Sequence, residues 1–377
     1  MYRFRRSFVV LAFAAILGIA VVGCGNSGSD SESTGGSETT AETTGEATTA
    51  AAPSKDLSGQ SLTYVSFGGN LQEAESEAIV QPWAKENGVK VAEESPTDYA
   101  KLTAQVETGN VTWDVVHADP FFLAANCGTL FDELSPSTVP SLSEIPSELV
   151  SSKCEVPHMR YGIGLYYDAK KFGSNPPTTW ADFFNTKKYP GKRGAWGYAQ
   201  SGLLEAALLA EGVSKESLYP LDTEKAFKKL DTIKGDMKFA TAPGEVAQQV
   251  TSGEITMALI YTGRAYEAAV QKADWKMAWG APTITSYEAV GIVKGSPDEE
   301  ASLSLVNAFG EAEPQARFAE LIAYAPTNPA AKPNLDPLLK EYSIASHPES
   351  GYVALDQGWW AENFDKVNTE FTEWLAG

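Results

Sequence analysis

Apolar and polar positions alternate over Leu62-Thr63-Tyr64-Val65-Ser66-Phe67, and this period of two predicts a strand. Gly68-Gly69-Asn70 breaks the pattern. Helical spacing follows from about residue 71 to 87, with Gly88 as a stop signal. Residues 89–92 read as the next strand. Asp98 is placed to cap a helix through Tyr99, Leu102 and Val106 to Gly109, and residues 113–116 read as a short buried strand. Strand, helix, strand, helix, strand predicts a parallel sheet with covering helices, whose ligand crevice lies beyond the carboxyl ends of the strands. Phe67, Asn70 and Asp119 fall at those ends and become candidate contacts.

A second α/β run begins near Tyr161. Strand-like segments lie at 162–167, 255–261 and 289–293. Helical ones lie at 178–184, 203–209, 223–233, 244–251 and onward from Pro297. The chain builds one α/β lobe, then a second, and returns. We therefore expect an α/β two-lobe clamp, each lobe a mixed sheet with covering helices. Residues 57–160 and 290–340 form lobe one and 161–289 lobe two. A C-terminal stretch, 341–377, packs back through Trp359, Trp360, Phe371 and Trp374.

The first 23 residues change the picture of where the protein works. Arg3, Arg5 and Arg6 precede an apolar run from Phe8 to Val22, too short for a comfortable bilayer span, which ends in Val21-Val22-Gly23-Cys24. This resembles a bacterial lipoprotein cleavage site, with Cys24 as the acyl acceptor. The alternatives are an uncleaved anchor and an ordinary secretory signal. Residues 24–56 are mostly Gly, Ser, Thr, Glu, Asp and Ala and contain no aromatic residue, so they read as a disordered tether. The expected location is extracytoplasmic, anchored to the cell membrane.

Charge narrows the partners. The chain carries 29 basic and 49 acidic residues, and loss of the three arginines leaves 26 against 49, a net −23. Such a chain is a poor ligand for nucleic acid, which needs a positive surface. With Cys24 assigned to lipid, Cys127 and Cys154 are left, and an oxidising compartment lets them pair. The alternative is two buried thiols.

The order of motifs then becomes specific. Gly68-Gly69, Tyr99-Ala100-Lys101-Leu102, Gly109 to Val116, Thr179 to Phe184, Lys187 to Arg193, Tyr261-Thr262-Gly263-Arg264, Tyr324 to Asn328 and Trp359 to Asn363 together resemble the ABC-importer solute-binding proteins of the spermidine/putrescine-binding type. The resemblance covers about residues 57–375. It implies two lobes joined by a hinge that close on a small amine and hand it to permease subunits; we further expect a monomer without a cofactor or metal. In that family aromatic residues clamp the methylene chain and carboxylates hold the amines. Tyr261 falls where a tryptophan stands, Glu288 where an aspartate stands, and Tyr324 matches a tyrosine. The first loop, Ser66-Phe67-Gly68-Gly69, lacks the family's tryptophan and tyrosine, and Tyr198-Ala199-Gln200-Ser201-Gly202 lacks its acidic pair. Arg264 matches a subgroup reading Tyr-Asn-Gly-Arg, some of whose members take up γ-aminobutyrate-like compounds.

The residue chemistry supports an amine site independently. A primary ammonium wants a carboxylate and an aromatic face, which Glu288, Tyr287, Tyr261 and Tyr324 supply between them. Arg264 repels a polycation but grips a carboxylate. Arg264 and Glu288 in one cleft would select a zwitterion. The other reading pairs Arg264 with Glu267 or Glu245 as a plain ion pair. Trp196 and Tyr198 wall the cleft or belong to the core. A secreted hydrolase is the competing class, with a non-transport surface lipoprotein as a third. Against an enzyme, the three histidines, His117, His158 and His347, form no HExxH pair, no GxSxG is present, and Phe67-Gly68-Gly69-Asn70-Leu71 lacks the third glycine of a dinucleotide loop.

Overall fold

The computed structural model describes residues 56–377 except 242–244. The expected signal segment 1–23, Cys24 and all but the last residue of the tether lie outside the described residues. Eleven strands form one sheet: β1 (Ser61–Val65), β2 (Lys90–Glu94), β3 (Val115–Ala118), β4 (Val156–Asp168), β5 (Arg193–Trp196), β6 (Met237–Ala240), β7 (Met257–Tyr261), β8 (Trp275–Met277), β9 (Ile284–Ile292), β10 (Ala325–Pro326) and β11 (Val353–Ala354). The spatial order is β2-β1-β3-β9-β4-β7-β5-β6, with β8 and β10 on β4 and β11 on β9.

Each end of the order is a parallel unit: β2-β1-β3 on one side, β7-β5-β6 on the other. Between them β4 and β9 run antiparallel to each other and to their outer neighbours β7 and β3. The sequence pattern pointed to two lobes; the register shows how they are joined. β4 is 13 residues long and pairs with β9 from Val156↔Val290 to Ile163↔Ile284, so two continuous strands cross from one parallel unit to the other. Their burial is nearly unbroken, as expected for strands covered on both faces.

Local signals place the elements. Asp98 caps the helix Tyr99–Thr108 by accepting from the Lys101 N–H, and Gly109 ends it in the left-handed region at φ 68°. Thr179 and Asp182 form a reciprocal capping box on the helix Trp180–Phe184. The helix after β1 starts two residues before the pattern suggested. It runs Gly69–Glu75, widens into a π turn over Ser76–Val80, and continues as Gln81–Asn87. Gly68 and Gly69 take φ of 80° and 65°, a turn that costs a glycine nothing sterically.

Several motif residues prove to be structural. The Arg193 side chain is wholly buried and spends its donors on three carbonyls, those of Phe183, Tyr189 and Gly191. Thr327 and Asn328 are buried against Gln315, with Asn328 also donating to Glu144. Cys127 and Cys154 form the expected disulfide. The C-terminal segment is a single helix, Gln357–Ala376. Phe364 meets Phe121 at 4.5 Å between centroids, and Trp374 meets Phe227 at 5.9 Å. One strap thus touches helices belonging to both parallel units. No helix among the described residues is long and apolar enough to cross a membrane.

Candidate functional site

A cavity of about 370 Å³ opens where the carboxyl ends of the two parallel units face each other. Phe67 follows β1 and Asp119 follows β3. From the other side come Trp196 at the end of β5, Tyr198 just beyond it, and Tyr261 at the end of β7. Met159 and Tyr161 of β4 and Glu288 of β9 form the floor. Arg264 reaches in from the first turn of the helix Thr262–Val270, and Tyr324 from just before β10.

Aromatic rings make most of the wall. Tyr161 meets Tyr261 edge-on at 5.3 Å, and Trp196 lies 5.7 Å from Tyr261. Tyr161 also contacts Tyr324 at 6.2 Å. Gly263 explains the glycine in Tyr261-Thr262-Gly263-Arg264: a Cβ there would lie 2.4 Å from the Tyr324 ring, so any other residue displaces that wall.

Of the residues singled out from the sequence, Phe67, Asp119, Tyr261, Arg264, Glu288 and Tyr324 are brought together, with Trp196 and Tyr198. Asn70 does not line the cavity; its side-chain oxygen accepts a hydrogen bond from Arg264 Nη1. Arg264 also pairs with Glu267 at 3.0 Å. The cavity contact and the ion pair expected as alternatives are therefore both present. Tyr287 is not at the site. Side chains alternate along β9, so while Glu288 enters the cavity, Tyr287 points to the opposite face, where its hydroxyl donates to Glu155 at 2.9 Å.

Two carboxylates share the cavity. Asp119 Oδ2 accepts from the Tyr99 hydroxyl at 2.5 Å, and the Tyr198 hydroxyl donates toward its Oδ1 at 3.3 Å. Burial pushes the Asp119 carboxyl above its usual range, against those hydroxyls and the charge of His117. Glu288 is likewise raised by burial, then by the Asp119 charge, to about 8, with His117 pulling it back.

Behind Glu288 lies a wholly buried polar group that the sequence reading missed. Glu75 Oε1 is 2.6 Å from His117 Nδ1 and 3.1 Å from His158 Nε2. Its Oε2 accepts from the Tyr64 hydroxyl at 2.7 Å and the Ser66 hydroxyl at 2.6 Å. The readable signal was an acid on the apolar face of a helix, four residues from both Leu71 and Ile79, which are buried. His117 and His158 lay inside apolar strands and gave no such signal. Burial favours neutral His117, but the Glu75 charge and Glu288 outweigh it and lift the imidazole to about 10. Burial would raise Glu75 too, yet the two histidines hold it well below the usual range. His158 falls to about 4, through burial and the charge on His117, against Glu75. Among the described residues these three side chains are the group whose donor atoms converge as metal ligands do. The 2.6 Å contact is instead a charge-assisted hydrogen bond, and both Glu75 oxygens are already occupied.

Such a cavity, between two sheet ends and closed by two crossing strands, defines a bilobal solute-binding clamp. The chain belongs to the bacterial extracellular solute-binding protein family, whose model matches residues 78–346. It is similar to a γ-aminobutyric acid-binding protein of Pseudomonas aeruginosa, at 32% identity over 84% of this chain and 91% of that one. A putrescine-binding periplasmic protein of the same species is 23% identical over 67% of this chain and 76% of that one. A solved structure of an Atu4243–GABA receptor superposes with a TM-score of 0.77 at 31% identity, covering 84% of this chain and 98% of the other. The protein is a solute-binding component of an ABC importer.

Proposed function

We propose that the solute is a small ω-amino acid of the γ-aminobutyrate type. The observation that carries this reading is one cavity holding two carboxylates, Glu288 and Asp119, and one guanidinium, Arg264, with aromatic walls between. A ligand with one ammonium and one carboxylate matches both charges. A diamine would set its second ammonium against Arg264. The γ-aminobutyrate-binding relatives support the same choice.

In this reading Glu288 and Asp119 hold the amine. Tyr261, Tyr324 and Phe67 flank the methylenes, and Arg264 takes the carboxylate while Asn70 and Glu267 hold its guanidinium in place. Lobe one is 57–160 with 290–340, lobe two is 161–289, and they close by bending across β4 and β9. The role is capture and delivery to permease subunits, not catalysis. Cys24 carries the membrane anchor; a Cys24→Ala protein that stays in the membrane fraction would refute that part.

Isothermal titration tests the ligand class. We expect γ-aminobutyrate to bind more tightly than putrescine, and butyrate, which lacks the ammonium, not to bind. Putrescine or spermidine binding more tightly than γ-aminobutyrate would favour a polyamine site, with Arg264 as a structural bridge.

A further inference from the structure

The two cavity carboxylates have different support. Asp119 is served by neutral hydroxyls, those of Tyr99 and Tyr198. Glu288 faces an imidazole. His117 Nε2 lies 3.6 Å from Glu288 Oε2, an ion-pair distance too long for a hydrogen bond, and neither atom has a hydrogen-bond partner among the described residues. On its other side the same ring meets Glu75 at 2.6 Å.

Every element around His117 bears on its charge. The helix Gly69–Glu75 offers Glu75, and β9 offers Glu288. Asp119 follows His117 by two residues at the end of its own strand. From β4 comes His158, whose ring lies edge-on at 4.8 Å. After β1, Ser66 Oγ lies 3.2 Å from Nδ1, and the Phe67 ring lies 5.0 Å away. Three carboxylates, Glu75, Glu288 and Asp119, act on the ring, and among the described residues none of them has an ion pair with a lysine or arginine. A wholly buried, ionised Glu75 needs a cation, and a second positive imidazole beside the first is unfavourable. Of the two imidazoles paired with Glu75, His117 is the one that also pairs with a cavity carboxylate.

We propose that His117, held as a cation by Glu75, is the positioning residue that orients Glu288 toward the ligand and eases its ionisation when an ammonium arrives, and so makes the site select an ammonium over a neutral donor. The proposal rests on the reading of the cavity as an amine site. Glu288 and Asp119 repel each other in a confined space, and without a fixed positive charge behind it Glu288 would hold its proton to a still higher pH. The protonated acid offers an ammonium far less. His117 does not line the cavity, so it acts through Glu288.

The test uses the full-length protein, first without ligand. The chain has three histidines, so imidazole nitrogen signals are assignable from single substitutions. We expect the His117 ring to stay doubly protonated past pH 8.5 and to become neutral at pH 7.5 in Glu75→Gln. The Glu288 carboxyl signal, identified by its loss in Glu288→Gln, should titrate at least one pH unit higher in His117→Gln than in wild type. Titration calorimetry with γ-aminobutyrate follows. His117→Gln should weaken binding at least thirty-fold relative to wild type at pH 7, and that gap should narrow at least three-fold by pH 9, as Glu288 ionises in both proteins; lost packing alone would leave the gap constant. A neutral His117 in the wild type overturns the proposal, and so does a Glu288 titration unmoved by His117→Gln. If His117→Gln does not fold, the wild-type and Glu75→Gln imidazole signals decide. If the wild type binds no amine, the ω-amino acid reading fails, while the ligand-free signals still decide the role of His117.

Discussion

The carboxylate end of the cavity stands on β9, β3 and the wholly buried group behind them, whereas the guanidinium end stands on the first turn of a helix. Glu288 and Asp119 stand in and just after strands of the sheet and are held by Glu75, His117 and Tyr99, which ligand closure need not bring in; the longer Tyr198 contact to Asp119 is the one that comes from the opposite unit. Arg264 is held by Glu267, three residues along its own helix, and by Asn70, which comes from the opposite parallel unit. One end is organised in advance. The other is completed where the two units meet. Preorganised charge costs less at the moment of binding, so the amine end should carry affinity and the arginine end should carry choice among amines.

The largest effect should come from breaking the buried pair. Glu75→Gln leaves His117 without its counter-charge, and removing one partner of a buried ion pair costs about 3–5 kcal/mol of stability. Urea unfolding at pH 7 measures it, and unchanged stability would mean the pair is not ionic. The pH dependence follows from the same group. His158 is depressed to about 4 from an ordinary 6.5, so its contribution is present above pH 6.5 and lost as pH falls through 4. Glu75 is depressed as well, and its contribution is lost at still lower pH. His117 is raised to about 10, so its contribution is present below pH 6.5 and lost as pH rises through 10. From these groups, unfolding followed from pH 4 to 10 should show a maximum near pH 6.5, with stability falling on both sides.

Next in size is the ligand-facing acid. Glu288→Gln should cost about 2–5 kcal/mol of γ-aminobutyrate affinity, roughly thirty-fold to several-thousand-fold, by calorimetry. Equal losses for Asp119→Asn and Glu288→Gln would erase the distinction drawn between the two acids. The smallest effect belongs to the arginine end. Arg264→Ala should cost γ-aminobutyrate about 1.5–3 kcal/mol, in the range of a hydrogen bond to a charged group, and leave putrescine equal or improved. If both ligands weaken alike, Arg264 serves closure rather than choice.

The chain's own pattern was enough for much of this. Alternating and helical spacings located β1, β2, β3 and β7 and several helices to within two residues, caught only parts of β4 and β9, and gave no sign of β5, β6 or the helix Thr262–Val270 that carries Arg264. Asp98, Thr179, Gly88 and Gly109 marked helix ends through capping chemistry that acts over a single turn. Strand ends pointed to Phe67 and Asp119, because a crevice beyond parallel strands follows from sheet topology. The tertiary structure decided what depends on contacts between distant residues. It put Tyr287 on the far face of β9, since the pleat sends neighbours to opposite sides. It joined two parallel units into one sheet through β4 and β9, a pairing no local signal encodes. It gathered Glu75, His117 and His158 from positions up to 83 residues apart into one buried group. Periodicity registers where an apolar face lies. The charge state of a polar group on that face depends on which partners the fold brings against it.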